Sequence, residues 1–137
     1  MIDAIREYIG TCPIFKDNKI NVNYLGNKTA SYSVEAVPSN PVLKTYIDGG
    51  QLRQVLFVIA SRELYSASTE KNSEVMKFYE EFSSWLYEKN KAGEFPALPG
   101  NLFPQSIEVL TEQYLYDVGN NDARYQIQCR LTYYKDF

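Results

Sequence analysis

The 137-residue chain contains no histidine, two cysteines and a single tryptophan. Without histidine, Ser-His-Asp and Cys-His catalysis in their usual forms are excluded, and the commonest metal ligand is missing. Cys12 and Cys129 have no motif spacing and cannot complete a four-ligand zinc site. They read as free buried thiols, with a disulfide as the alternative, and their scarcity fits a reducing compartment. No GxGxxG or P-loop pattern occurs, so no phosphate cradle is expected. No cluster of three basic residues occurs either, and the net charge is −3. That balance argues against tracking a phosphate backbone, and no sequence-specific nucleic acid is expected as a partner. No apolar run approaches the ~18 residues of a membrane span. The first residues lack the basic segment and apolar core of a signal peptide, so synthesis and use in a cytoplasm are expected, with no membrane partner.

What the chain does have is tyrosine. Twelve Tyr and seven Phe accompany an apolar content of 45% and a charged content of 23%, which suits one ordinary globular domain over 1–137. Tyrosine packs a ring while keeping its hydroxyl hydrated, a property useful on half-buried sheets and at interfaces; it also simply favours strands.

Ile2, Ile5, Tyr8 and Ile9 predict a short amphipathic helix, stopped by Gly10 and Pro13. "KINVNYLG" and "ASYSVEAVP" alternate apolar with polar and predict a hairpin turning at "GNKT". "PSNP" redirects the chain before "VLKTYI", and Asp48-Gly49-Gly50 supplies the positive-φ positions of a second hairpin loop. After "SASTEKNS", a polar approach, "EVMKFYEEFSSWLYEKNKAG" places Val75, Phe78, Tyr79, Phe82, Trp85 and Leu86 on one helical stripe, with Gly93 as its end. "GEFPALPGNLFP" predicts a hydrophobic loop. "QSIEVL" and "QYLYDV" predict one strand or two short ones, "GNNDA" a turn, and "ARYQIQCRLTYY" a strictly alternating final strand. The fold class is therefore α+β: a mostly antiparallel sheet of five to six strands flanked by one long and one short helix.

Little here carries chemistry. Glu80-Glu81 and Glu108 with Glu112 read as solvated pairs rather than an acid/base dyad. The Asp48 loop lacks the further ligands of a calcium site. No catalysis, cofactor or metal is expected. Arg53, Arg62, Arg124 and Arg130 are the polar residues suited to pairing carboxylates across an interface, or to plain surface ion pairs.

The run Val55–Ala60 is apolar on both faces: Leu52, Leu56, Val58 and Ala60 on one, Val55, Phe57 and Ile59 on the other. Antiparallel sheets normally leave one face wet. Leaving Val55, Phe57 and Ile59 exposed forgoes roughly 5–8 kcal/mol, against a domain stability of about 5–15. Cover from a neighbouring subunit is one solution and a sandwich within the chain is the other. The residues expected at a subunit or partner interface are Tyr46, Asp48, Gly49, Gly50, Arg53, Val55, Phe57, Ile59, Arg124 and Arg130, with the Asp48 hairpin as a projecting docking element.

The segments "MIDAIREYIGTCP", "INVNYLG", "VPSNPVLKTYIDGGQLRQVLFVIASRE", "FYEEFSSWLYEKN", "PQSIEVL" and "ARYQIQCRLTYY" together resemble the minor capsid proteins of long-tailed phages and prophages of Gram-positive bacteria. These proteins look like tail terminators or head–tail completion proteins. The resemblance covers most of the chain, as a whole pattern without a signature residue. It implies a tail-terminator-like α+β fold and a homo-oligomeric ring, commonly a hexamer, that caps the tail tube. The implied partners are further copies of the chain and a major tail protein or head connector protein. The implied location is the virion, assembled in the bacterial host cytoplasm. Two other classes remain open: a monomeric module binding a small ligand or protein between helix and sheet, and an enzyme using Asp, Glu, Arg and Tyr.

Overall fold

The structure, a computed structural model, describes residues 1–15, 20–22, 25, 31–64, 69–118 and 122–136. Isoleucines at helical spacing form the inner side of α1 (Ile2–Ile9), where Ile5 and Ile9 are fully buried. A 3-10 turn at Pro13–Phe15 then drops the Phe15 ring into the core. The strands are β1 (Ile20–Val22), β2 (Ser31–Val37), β3 (Val42–Thr45), β4 (Gln51–Leu64), β5 (Leu102–Val109), β6 (Tyr114–Val118) and β7 (Asp122–Lys135). Helix α2 (Thr69–Ala92) lies between β4 and β5 in the chain, and Gly93 at φ 74° follows its end. The predicted turns at "GNKT" and Gly119–Asn121, and Tyr24, lie outside the described residues.

All seven strands join one sheet in the order β1-β2-β4-β7-β5, with β3 also paired to β4 and β6 also paired to β7. The central pair is fourteen residues long, in register from Gln51 opposite Lys135 to Leu64 opposite Asp122. Each long strand is flanked by two short ones end to end, which is why the sheet has seven strands and not the expected five or six. The class is α+β and mostly antiparallel, as the alternation predicts. One pairing differs. β1 and β2 do not form a hairpin; they run parallel, with Ile20, Asn21 and Val22 opposite Tyr32, Ser33 and Val34. β1 has only three residues, so the return needed for a parallel pairing with β2 is short. Two boundaries also move: α2 begins at Thr69, inside the stretch read as an approach, and β5 takes Leu102–Pro104 from the predicted loop.

The register places Val55, Phe57 and Ile59 opposite Leu131, Cys129 and Ile127. Val34 joins them from β2 and Ile107 from β5. Over this face α2 lays Val75, Tyr79, Phe82 and Leu86, all buried, with Phe78 and Trp85 at the margin. Phe15 meets the Tyr32 and Phe78 rings edge-on at 5.3 and 5.5 Å. Phe95, Leu98 and Leu102 close the end of the core from the proline-rich loop. The chain therefore covers this face itself: Phe57 and Ile59 are fully buried and Val55 packs at the core's edge. The expectation that a neighbouring subunit shelters these three residues is corrected. Two helices, a 3-10 turn and the 94–101 loop together supply the cover that one long helix alone would not.

Inside this core sits one polar link. Tyr79 donates its phenol proton to the Tyr125 carbonyl at 3.0 Å, so the 2.6 Å contact with Ser61 is the serine hydroxyl donating to the phenol oxygen. Burial pushes the Tyr79 phenol and the Cys129 thiol well above their ordinary values, and it raises Cys12 as well. Both cysteines are free and buried. Thiol reagents are expected to modify them in the folded protein only as fast as it opens. Phe57→Ala is expected to cost about 3–5 kcal/mol in urea unfolding; a loss under about 1 kcal/mol would mean this face is not packed as described.

Candidate interaction surface

The even-numbered residues of β4 face the other way, and among the described residues no helix lies over them. Val58 and Ala60 are nonetheless buried. Their cover is a polar strap built by the neighbouring strands. Glu35 on β2 and Arg124 on β7 reach across β4 and meet at 2.9 Å, with side chains only about a fifth exposed. Ser33 donates to the other Glu35 oxygen at 2.7 Å, and Arg124 Nε donates to Gln126 at 3.1 Å. Gln126 and Gln128 both donate to the Tyr114 hydroxyl, at 2.6 and 3.0 Å, carrying the strap onto β6. The Tyr116 ring lies 4.9 Å from the Arg124 guanidinium. The methylene stems of these side chains roof the small apolar residues while their heads stay paired and near water.

Register also sets Arg62 directly opposite Arg124, a like-charge pair. Each has its own carboxylate: Arg62 meets Asp122 at 3.3 Å, and Arg124 holds Glu35. Further down β7, Arg130 Nε donates to Glu108 at 3.1 Å. The predicted interface residues Arg124 and Arg130 are thus ion-paired within the chain. Arg53 lies on the helix-covered face instead, donating to Gln51 at 3.1 Å while its buried Nε has no partner.

At the β3–β4 end the outer face changes character. The hairpin turns at Tyr46–Gly50, with Tyr46 N–H bonded to the Gly50 carbonyl at 2.8 Å and Gly49 at φ 91°. Asp48 accepts from the Gly50 N–H at 3.0 Å, locking the loop with its side chain. Gly50 lies in a close approach: a β-carbon there would sit 2.1 Å from the Tyr134 hydroxyl, so the ring would have to move to admit one. Tyr134 has Tyr46 on one side at 5.9 Å and Phe103 on the other at 6.5 Å, and Lys44 lies 5.0 Å above the Tyr46 ring. Desolvation, then the Asp48 and Asp136 carboxylates, push the Tyr134 phenol up. Ile47, at the tip, is wholly exposed, and Leu43, Tyr46 and Phe103 are more than a third exposed.

Tyr46, Asp48, Gly49 and Gly50 therefore come together at one exposed apolar end, while Val55, Phe57 and Ile59 lie inside. Sequence reasoning missed Ile47, Phe103, Tyr134 and Glu35. Ile47 carried a usable signal, a large apolar residue beside a turn. So did Tyr134, an aromatic ring on the otherwise polar side of β7. Phe103 was hidden in a segment read as loop, and Glu35 as a partner of Arg124 has no sequence signal at all.

A second concavity runs between α2 and the β5 edge, as two adjoining hollows of about 520 and 560 Å³ that share Ser83, Ser84 and Val109. Among the described residues no three His, Cys, Asp or Glu side chains gather as a metal site, and no helix is long and apolar enough to cross a membrane. In comparison with known proteins, no family model and no curated protein matches the chain.

Gly50→Ala is expected to destabilise the protein by about 1–3 kcal/mol, because the new methyl overlaps the Tyr134 ring. In a Tyr134→Ala background most of that cost should vanish. Equal costs in the two backgrounds, measured by denaturant titration, would rule out the contact as the cause.

Proposed function

We propose that the chain is a structural subunit of a homo-oligomeric ring, a tail terminator or head–tail joining protein that caps the tail tube of a long-tailed phage and docks it to the capsid. The observation that carries this is the β3–β4 tip. Ile47 is wholly exposed on a turn held by Asp48 and by the close seat of Gly50 on Tyr134, beside the half-exposed rings of Tyr46 and Phe103. A large apolar side chain on a fixed turn is unfavourable in water and suits a contact that another molecule completes. The phage assignment is supported by the resemblance of the sequence segments quoted above. The mechanism would be geometric: a ring closed by rotational symmetry occupies the growing end of the tail tube and stops further addition.

A second reading, a monomeric module holding a small ligand or a protein segment, draws on the hollows between α2 and β5. Light scattering separates the two. A ring would scatter as several times the 15.8 kDa of one chain, alone or on tail tubes, whereas a stable monomer in both settings rejects it. Replacing Tyr46–Gly49 with a two-residue Asn-Gly turn should leave a folded protein that fails to join tails to heads in an assembly assay. Normal joining by that variant would discard the tip as the docking element.

A further inference from the structure

The hollow beside α2 and the projecting tip lie at opposite edges of the same sheet, one against β5 and the other at the end of β3. The hollow presents Val109, set over the fully buried Ile107, between the exposed Met76 and Tyr87 of α2, and its helix wall is opened by the small side chains of Ser83 and Ser84. Three carboxylates, Glu80, Glu88 and Glu112, stand around it, and none makes an ion pair among the described residues.

A peptide strand is not what this edge is shaped to receive. Pro104 removes a donor from β5, and the Ile107 N–H is already bonded to Asn90 of α2 at 2.9 Å. A compact turn bearing one apolar knob and a flanking cation fits better. The chain carries such a turn: Ile47 wholly exposed, Leu43 and Tyr46 partly so, and Lys44 held over the Tyr46 ring. The Asp48 carboxylate, the one like charge on the tip, is turned back onto the Gly50 N–H.

We infer that the β3–β4 tip of one copy seats in the α2–β5 hollow of a second copy, Ile47 against Val109 between Met76 and Tyr87, and Lys44 on the side of the Glu80, Glu88 and Glu112 carboxylates. This rests on the ring reading and names the surfaces that close it. Knob and hollow are at different places on the chain, so the contact is head-to-tail. Each copy keeps one free tip and one free hollow until rotation closes the set.

Chains carrying Ile47→Cys are mixed with chains carrying Ser84→Cys under mild oxidation. Both positions are exposed, so neither change disturbs the core, and the native thiols are buried. A cross-linked dimer is expected in the mixture and not in either chain alone; cross-linking of one variant with itself, or none in the mixture, overturns the contact. In sedimentation, Ile47→Asp and Lys44→Glu should each weaken self-association about tenfold or more. Glu80→Lys should restore part of the loss in the Lys44→Glu chain. If the unmodified chain stays monomeric to hundreds of micromolar both alone and with tail tubes present, this contact and the ring reading fall together. If it associates but is indifferent to Ile47→Asp, the contact alone falls.

Discussion

Everything in this fold follows from the need to dry both faces of β4. A fourteen-residue strand at the centre of a sheet, apolar on both sides from Val55 to Ala60, cannot stand in water. The two faces are dried by different means. On one, helices bring bulk: Tyr79, Phe82 and Leu86 of α2 close over Phe57 and Ile59, with Phe15 filling the remaining corner. On the other, Leu56 stays half-buried, and the buried residues are Val58 and Ala60, small enough to lie beneath long polar side chains from the neighbouring strands.

The polar roof is a case in which ion pairs matter chiefly for where they lie. Exposed salt bridges contribute little. The Glu35–Arg124 pair is mostly shielded, is tied at both ends to Ser33 and Gln126, and spans three strands. Its hydrogen bonds fix two long side chains across β4, where their apolar stems can shield Val58 and Ala60 from water. The same arrangement lets Arg62 and Arg124 sit opposite each other, since each is neutralised by a different carboxylate.

Part of the apolar surface left over lies on β6, at Leu115, Tyr116 and Val118, and part lies at the hairpin end. Ile47, Tyr46 and Phe103 are held there by a turn that has little freedom, because Gly50 is seated on Tyr134 and Asp48 on the turn's own N–H. A contact surface made from a fixed turn costs less ordering on association than a flexible loop would. The sheet edge at β5, by contrast, is guarded by Pro104 and Asn90 against uncontrolled strand pairing.

The sequence by itself determined the local elements. Isoleucine and aromatic spacing at helical period wrote α1 and α2, alternation wrote β2 and β7, and Asp48-Gly49-Gly50 wrote the hairpin turn. These are properties of neighbours along the chain, and periodicity reports them directly. Only the tertiary structure decided what covers what: that β1 runs parallel to β2, that Glu35 meets Arg124 from eighty-nine residues away, and that Val55, Phe57 and Ile59 need no second chain. Those outcomes depend on strand order and on which side chains can reach across a strand. No one-dimensional pattern encodes that, because the same alternation is compatible with many orders of the same strands.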